Sequence, residues 1–176
     1  MVGTRRPRRV LPGYIRNANV RLVPEHRHLP HLRPFAKQPI VYLTVVTHDR
    51  RTVLACQAAF DVLTSIWTRS PDLDGWFIGD YLLMPDHVHF FARAALDTKP
   101  LAEWMETWKS LSSRQLKKPL QINPPLWQRD YFDRFLRSSE SYSEKWDYVA
   151  NNPVRAGLCV RPEDWPWKGR LFDLQF

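Results

Sequence analysis

Apolar and polar positions recur with two different periods along this chain, and the switches between them mark its elements. Residues 40–47, IVYLTVVT, are apolar and β-branched, follow Pro39 and end in the polar turn His48-Asp49-Arg50-Arg51, a pattern that predicts a buried strand. From Ala55 to Arg69 the spacing of Phe60, Leu63, Ile66 and Trp67 is helical, and Ser70-Pro71 is expected to stop the helix. Gly75 to Leu83 reads as a strand, Met84-Pro85-Asp86 as a turn or bulge, and His87 to Ala94 as a second strand. Leu101, Trp104, Met105, Trp108, Leu111 and Leu116 predict an amphipathic helix whose other side offers Lys109, Arg114, Lys117 and Lys118. After the proline-rich residues 119–125 a third helix is expected over Ser139 to Asn151, with Ser141 and Glu144 spaced as a capping box and Pro153 closing it.

The order β-α-β-β-α, then another helix, predicts an α+β fold. It is most of a ferredoxin-like split βαβ arrangement, an antiparallel sheet with helices on one face, plus a C-terminal helix. A chain of 176 residues with 44% apolar residues supports one core rather than two. Its 13% aromatic content excludes disorder, and its most apolar stretch is far too short to span a membrane. Only Cys56 and Cys159 occur, which excludes a disulfide scaffold and a cysteine-rich zinc module and fits a reducing, cytoplasmic setting. The basic start is not followed by the apolar core of an export signal, so none is expected.

Charge divides the chain in two. Residues 1–39 hold nine Lys or Arg against Glu25 alone, the whole of the net +8, while the remainder balances at seventeen of each sign. The same stretch holds six of the fifteen prolines, which interrupt regular structure. It reads as a basic arm, with Arg5, Arg6, Arg8 and Arg9 at its head, ahead of a single domain over residues 40–176. Such an arm attracts a polyanion, nucleic acid foremost; the plainer reading is a solvated extension with no specific task. His26, His28 and His31 sit in it without an ordered scaffold to make them metal ligands.

The sharpest local feature is Met84-Pro85-Asp86-His87-Val88-His89-Phe90-Phe91. Strand alternation puts both imidazoles on one face and Val88 and Phe90 on the other, so the strand can be anchored by one side and offer two nitrogen ligands from the other. A His-x-His pair chelates a divalent metal, but three residues recur by chance and need a third ligand and a reacting group. The third helix offers both. Tyr142, Trp146 and Val149 form an apolar stripe, while Tyr148 lies roughly 130° from its centre, beside Ser141, Lys145 and Asn152. Taken alone, Tyr148 is also an ordinary aromatic at the core edge and Asn152 an ordinary helix C-cap.

Taken together, the ordered stretches YLTVVTHDR, MPDHVHFF, LWQRDYFDRFLR, WDYVANNPVRAGL and EDWPW resemble the REP-associated tyrosine transposases, a branch of the single-tyrosine, His-hydrophobic-His nucleases related to insertion-sequence transposases. The likeness covers residues 40–168. It implies that His87 and His89 bind Mg²⁺ or Mn²⁺, that Asn152 completes the protein ligands and that Tyr148 is the nucleophile. The implied activity is a single-stranded DNA endonuclease and strand transferase, forming a 5′-phosphotyrosine link and a free 3′-OH on REP-like hairpin DNA. A metal suits this chemistry because a phenol is a poor nucleophile at neutral pH and the attacked phosphate gathers negative charge.

Lys145, one turn before Tyr148, is expected to help neutralise that phosphate. Lys109, Arg114, Lys117, Lys118, Arg129, Arg134 and Arg137 are candidates to follow a DNA backbone, with Trp127, Tyr131 or Phe132 available to stack on bases, although aromatics of this kind more often build the core. A monomer is expected over a homodimer, working at the nucleoid without a membrane. Two other classes stay open. One is a catalytically silent single-stranded nucleic-acid binder on the same fold, and the other a hydrolase that activates water at the His pair, with Tyr148 structural.

Overall fold

The computed structural model describes residues 38–96 and 98–174, so the arm with Arg5, Arg6, Arg8 and Arg9 and its three histidines lies outside the described residues. The elements are β1 (Val41–Val46), α1 (Gln57–Asp74), β2 (Trp76–Leu83), β3 (His87–Ala94), α2 (Leu101–Leu116), β4 (Phe132–Phe135), α3 (Ser139–Ala150), α4 (Asn152–Arg155) and β5 (Lys168–Arg170). Five strands form one sheet in the order β4-β1-β3-β2-β5, every neighbouring pair antiparallel. The expected β-α-β-β-α order is completed by β4 beside β1, which makes the ferredoxin-like arrangement whole.

Sequence pattern and structure differ at four places. Helix α1 runs through Pro71, because a proline in the last turn removes little of the ladder and the true stop is Gly75, whose left-handed φ of 74° lets its N–H donate to Pro71 O at 3.1 Å. Helix α3 is capped by Ser138, whose Oγ accepts the Ser141 N–H at 3.1 Å, and not by a Ser141–Glu144 box. Pro153 does not end α3; it stands in the first turn of α4, where a missing N–H is harmless. Strands β4 and β5, of four and three residues, were not expected from pattern, since β4 is exposed at every position and shows no alternation.

Alternation along the strands sorts the core into two layers. Val41, Leu43, Val45, Val88, Phe90 and Ala92 face α1 and α2, where Trp67 and Trp108 stack at 6.0 Å and 1°. Each fully buried Val, Leu or Phe among them contributes about 1.5–3 kcal/mol of transfer free energy. The opposite face carries Ile40, Tyr42, Leu82, Met84 and Phe91 and is covered by Tyr142, Trp146 and Val149 of α3. Phe91 holds this layer together, 4.4 Å from the Tyr142 ring and 6.2 Å from the Trp146 ring.

A break in the β2–β3 register between Ile78 and Tyr81 turns Asp80 toward α3. Buried Asp80 accepts from Tyr142 Oη at 2.6 Å and from Arg170 Nε and Nη2 at 2.9 and 2.7 Å, tying α3 and β5 to β2. Gly79 makes room for this, since a Cβ there would lie 2.8 Å from Tyr142 Oη. The hydrogen bond to buried Asp80 and the burial of the ring push the Tyr142 phenol well above its ordinary range, burial contributing most.

Candidate active site

The face under α3 is where the functional side chains gather. Val88 and Phe90 anchor β3 in the opposite core layer, and His87 and His89 therefore project from the same side as Tyr42 and Thr44 of β1. Thr44 is the direct cross-strand partner of His89. Each imidazole is held from behind by its Nδ1. His87 Nδ1 lies 2.6 Å from Asp86 Oδ1, and Asp86 is in turn gripped by Arg50 Nη1 at 3.0 Å. His89 Nδ1 lies 2.7 Å from Tyr42 Oη and 2.9 Å from Thr44 Oγ1.

These contacts fix the tautomers. A carboxylate only accepts, so His87 carries its proton on Nδ1. The Asn152 side-chain N–H donates to His89 Nε2 at 2.9 Å, so His89 also carries its proton on Nδ1. The two Nε2 atoms stand 3.1 Å apart, with neither ring's Nδ1 proton between them. Two ring nitrogens that close are held together by a cation shared between them, either a proton or a metal ion. A separation of about 3 Å is also what two neighbouring ligands of an octahedral ion span when each bond is about 2.1 Å. The donor set thus fits a divalent metal. Outer-sphere carboxylate and hydroxyl partners on both Nδ1 atoms are the usual means of orienting imidazole ligands.

Electrostatics favour a neutral His89. Burial, followed by the nearby charge of His87, Lys145 and Arg155, lowers the His89 pKa to about 3, so its ring is uncharged at neutral pH. Burial alone would raise Asp86, but the hydrogen bonds and charges of His87 and Arg50 hold it below its ordinary value. Among the described residues no three of His, Cys, Asp and Glu gather round one point. The neutral Asn152 amide is the remaining polar group beside the pair.

The nucleophile candidate stands at the rim. Met84, His87, His89, Tyr148, Asn152 and Arg155 line an open cleft of about 420 Å³. Tyr148 is 58% exposed, because α3 turns its Tyr142–Trp146–Val149 stripe to the sheet. Two cations attend its ring, Arg155 with its guanidinium carbon 4.1 Å from the centroid and Lys145 with Nζ 5.2 Å away. Lys145 also lies 4.6 Å over the Tyr42 ring, and burial, followed by the charge of Arg134, lowers its pKa. The break between α3 and α4 brings Asn152 and Arg155 back over the cleft, where Arg155 Nη2 donates to Asn152 Oδ1.

Residues 37–152 match the model of the family described as Transposase IS200 like. The chain belongs to the IS200-like transposase family. A curated relative from Haemophilus influenzae, assigned to the REP-associated tyrosine transposases, is 24% identical over 144 residues, covering 77% of this chain and 81% of its own length. Among solved structures, a REP-associated tyrosine transposase bound to a REP hairpin is 19% identical, covers 84% of this chain and 95% of its own, and superposes with a TM-score of 0.60. A Deinococcus radiodurans protein assigned as a transposase is 20% identical, with a TM-score of 0.51 over 70% of this chain and 97% of its own. Both share the fold of this chain. The recognition of a REP-associated tyrosine transposase likeness in the motifs agrees with all of these.

In this IS200-like chain, His87, His89, Asn152 and Tyr148 meet in one cleft, with Lys145 at its edge. Arg134 pairs with Tyr42 across β4 and β1, so it too lies on the site's face, and Arg137 is exposed just before α3. Lys109 and Arg114 belong to α2, on the far side of the sheet, and Lys117 is the residue that caps that helix's C-terminus. Lys109 Nζ donates there to the carbonyls of Gln128, Arg129 and Asp130 at 3.1, 2.8 and 3.3 Å, and burial lowers its pKa. Trp127 is a core residue that donates Nε1–H to Ser112 Oγ, whereas Phe132 is 55% exposed. Sequence reasoning missed Tyr42, Thr44, Asp86 and Arg155. Asp86 stood next to the His pair and could have been found; Arg155 could not, since the break after α3 decides where it points.

Proposed function

We propose that this chain is a metal-dependent single-stranded DNA endonuclease and strand transferase that uses Tyr148 as its nucleophile, acting on hairpin DNA. The observation that carries the reading is the pair of His87 and His89 Nε2 atoms, 3.1 Å apart, with the Asn152 amide and the Tyr148 phenol in the same cleft. His87, His89 and Asn152 would hold Mg²⁺ or Mn²⁺. When bound, the metal polarises the scissile phosphate and stabilises the departing oxygen.

The residues of the chain do the rest. Tyr148 Oη forms a bond to phosphorus as the P–O3′ bond breaks, leaving a 5′-phosphotyrosine and a 3′-OH; the phenol proton is lost and the 3′ oxygen gains one. One bond of similar energy replaces another, so an incoming 3′-OH can reverse the step and join strands. Asp86, Tyr42 and Thr44 hold the imidazoles in the ligating tautomer. Lys145 adds positive charge beside the phosphate. A single chain supplies every one of these groups, which supports a monomeric catalyst. DNA as partner is favoured by the hairpin bound to the solved relative and by the basic arm.

The test is incubation of the purified protein with 3′-end-labelled hairpin DNA from its own genomic neighbourhood, with Mn²⁺ or EDTA, on a denaturing protein gel. A labelled adduct that needs Mn²⁺ and disappears in Tyr148→Phe is expected. Metal-dependent cleavage that survives in Tyr148→Phe would make the cleft a water-activating hydrolase, and salt-sensitive binding with no cleavage would make the chain a silent binder.

A further inference from the structure

Resting on the metal-site reading, we propose that Arg155 is a displaceable partner of Asn152, holding the amide oxygen out of the ligand set until a divalent cation takes that oxygen and releases the guanidinium toward the phosphate. The amide is turned the wrong way for a ligand. It points Nδ2 at His89 and gives Oδ1 to Arg155 Nη2. A neutral amide NH₂ has no available lone pair to give a cation, so ligation requires a half-turn about the last side-chain torsion, which brings Oδ1 over the His pair.

That half-turn removes the acceptor of Arg155 and presents it with N–H groups instead. The two states exclude each other: either Arg155 holds Oδ1 or the metal does. Arg155 is otherwise lightly held. It is exposed, at the end of the four-residue α4, and its other contact is the face of Tyr148, 4.1 Å from guanidinium carbon to centroid. A guanidinium released at that place sits beside the nucleophile with a planar fork of donors suited to a phosphate. Metal loading and phosphate capture are thereby coupled through one amide.

The consequence runs against a plain structural role. Removing Arg155 removes both a competitor for Oδ1 and a positive charge beside the cation. A +1/+2 pair about 6 Å apart in a water-like dielectric weakens metal binding roughly tenfold, so Arg155→Ala is expected to bind Mn²⁺ more tightly than the parent by more than this tenfold, the excess coming from the freed Oδ1, while forming the DNA adduct more slowly. The experiment is titration of the full chain with Mn²⁺ alone, read by the electron paramagnetic resonance signal of free Mn²⁺, for the parent, Arg155→Ala, Asn152→Ala and the double variant, with His87→Ala as the site control and circular dichroism as the folding check.

Tighter Mn²⁺ binding in Arg155→Ala that shrinks when Asn152 is already Ala supports the exchange. Unchanged or weaker binding in Arg155→Ala, with the parent still binding through His87, overturns the exchange and leaves the metal site standing. A gain of the same size with or without Asn152 also overturns it, since charge alone would then act. Parent protein whose Mn²⁺ binding is absent or indifferent to His87→Ala overturns both readings.

Discussion

The helix that carries Tyr148 is fastened at its start, and Tyr142→Phe tests how firmly. Tyr142 Oη donates to the buried Asp80 carboxylate at 2.6 Å and accepts the Asp80 N–H at 3.2 Å. A hydrogen bond to a charged acceptor contributes about 1.5–3 kcal/mol net, and an unmade buried backbone donor costs about 1–3 kcal/mol. Arg170 still pairs with both Asp80 oxygens in the variant, and removal of a buried hydroxyl returns part of its own desolvation cost. The net expected loss is about 2 kcal/mol, or roughly 4–8 °C in Tm for a chain of this length. Urea unfolding gives the total, and hydrogen exchange locates it. Because Phe91, Trp146 and Val149 remain packed, the amides of α3 should open by local unfolding while those of β1 and β3 fall only by the global amount. A loss below about 0.5 kcal/mol, the level of an ordinary surface change, would show that Asp80 does not fasten the helix.

Two further outcomes are expected. Phe132 lies in one cross-strand row with Thr44 and His89, about 10 Å from His89 at ordinary strand spacing, with its ring edge-on to Tyr42 at 6.2 Å. Phe132→Ala should weaken single-stranded DNA binding by about 1–3 kcal/mol without altering the salt slope, as one lost stacked base does, and fluorescence anisotropy over a salt series that shows no weakening would remove Phe132 from the interface. For pH, His89 stays neutral in the fold down to about 3, while an unfolded His takes up a proton below about 6.5. The neutral ring's contribution is therefore full above 6.5 and is lost as pH falls toward 3, by about 2 kcal/mol between pH 7 and pH 5. Urea unfolding should show the parent losing that much relative to His89→Gln, and an equal loss in both would contradict it.

Most of the sheet was legible because β1, β2 and β3 are long, apolar and bounded by turns, and α2 because its stripe repeats over four turns. What escaped was set by contacts distant in sequence. Phe132-Asp133-Arg134-Phe135 becomes a strand only because β1 offers it a free edge, and nothing in its pattern says so. The end of α1 was misread because Pro71 was given the weight that Gly75 carries. In the site, the His pair on one face and Tyr148 off the stripe follow from the two periods of strand and helix. The second shell does not follow. Tyr42 and Thr44 meet His89 across 47 and 45 residues of sequence, and only the β1–β3 register brings them there.

That register also explains why the same strand serves core and chemistry at once. Val88 and Phe90 are fully buried under α1 and α2, so β3 cannot slip by one residue without turning both imidazoles into an apolar core and two large apolar side chains out of it. The cost of such a slip is many kcal/mol, so the spacing of the two Nε2 atoms is fixed by packing on the far side of the sheet rather than by the site itself. Tyr148, the proposed nucleophile, is not buried in this way. Tyr148 is exposed, reaches the cleft from a helix fastened chiefly through Tyr142, Trp146 and Val149, and is followed at once by the break that carries Asn152 and Arg155. On the proposed reading, a His pair fixed by far-side packing beneath an exposed Tyr148 suits a reaction in which the tyrosine would first receive a DNA strand and later give it up to another.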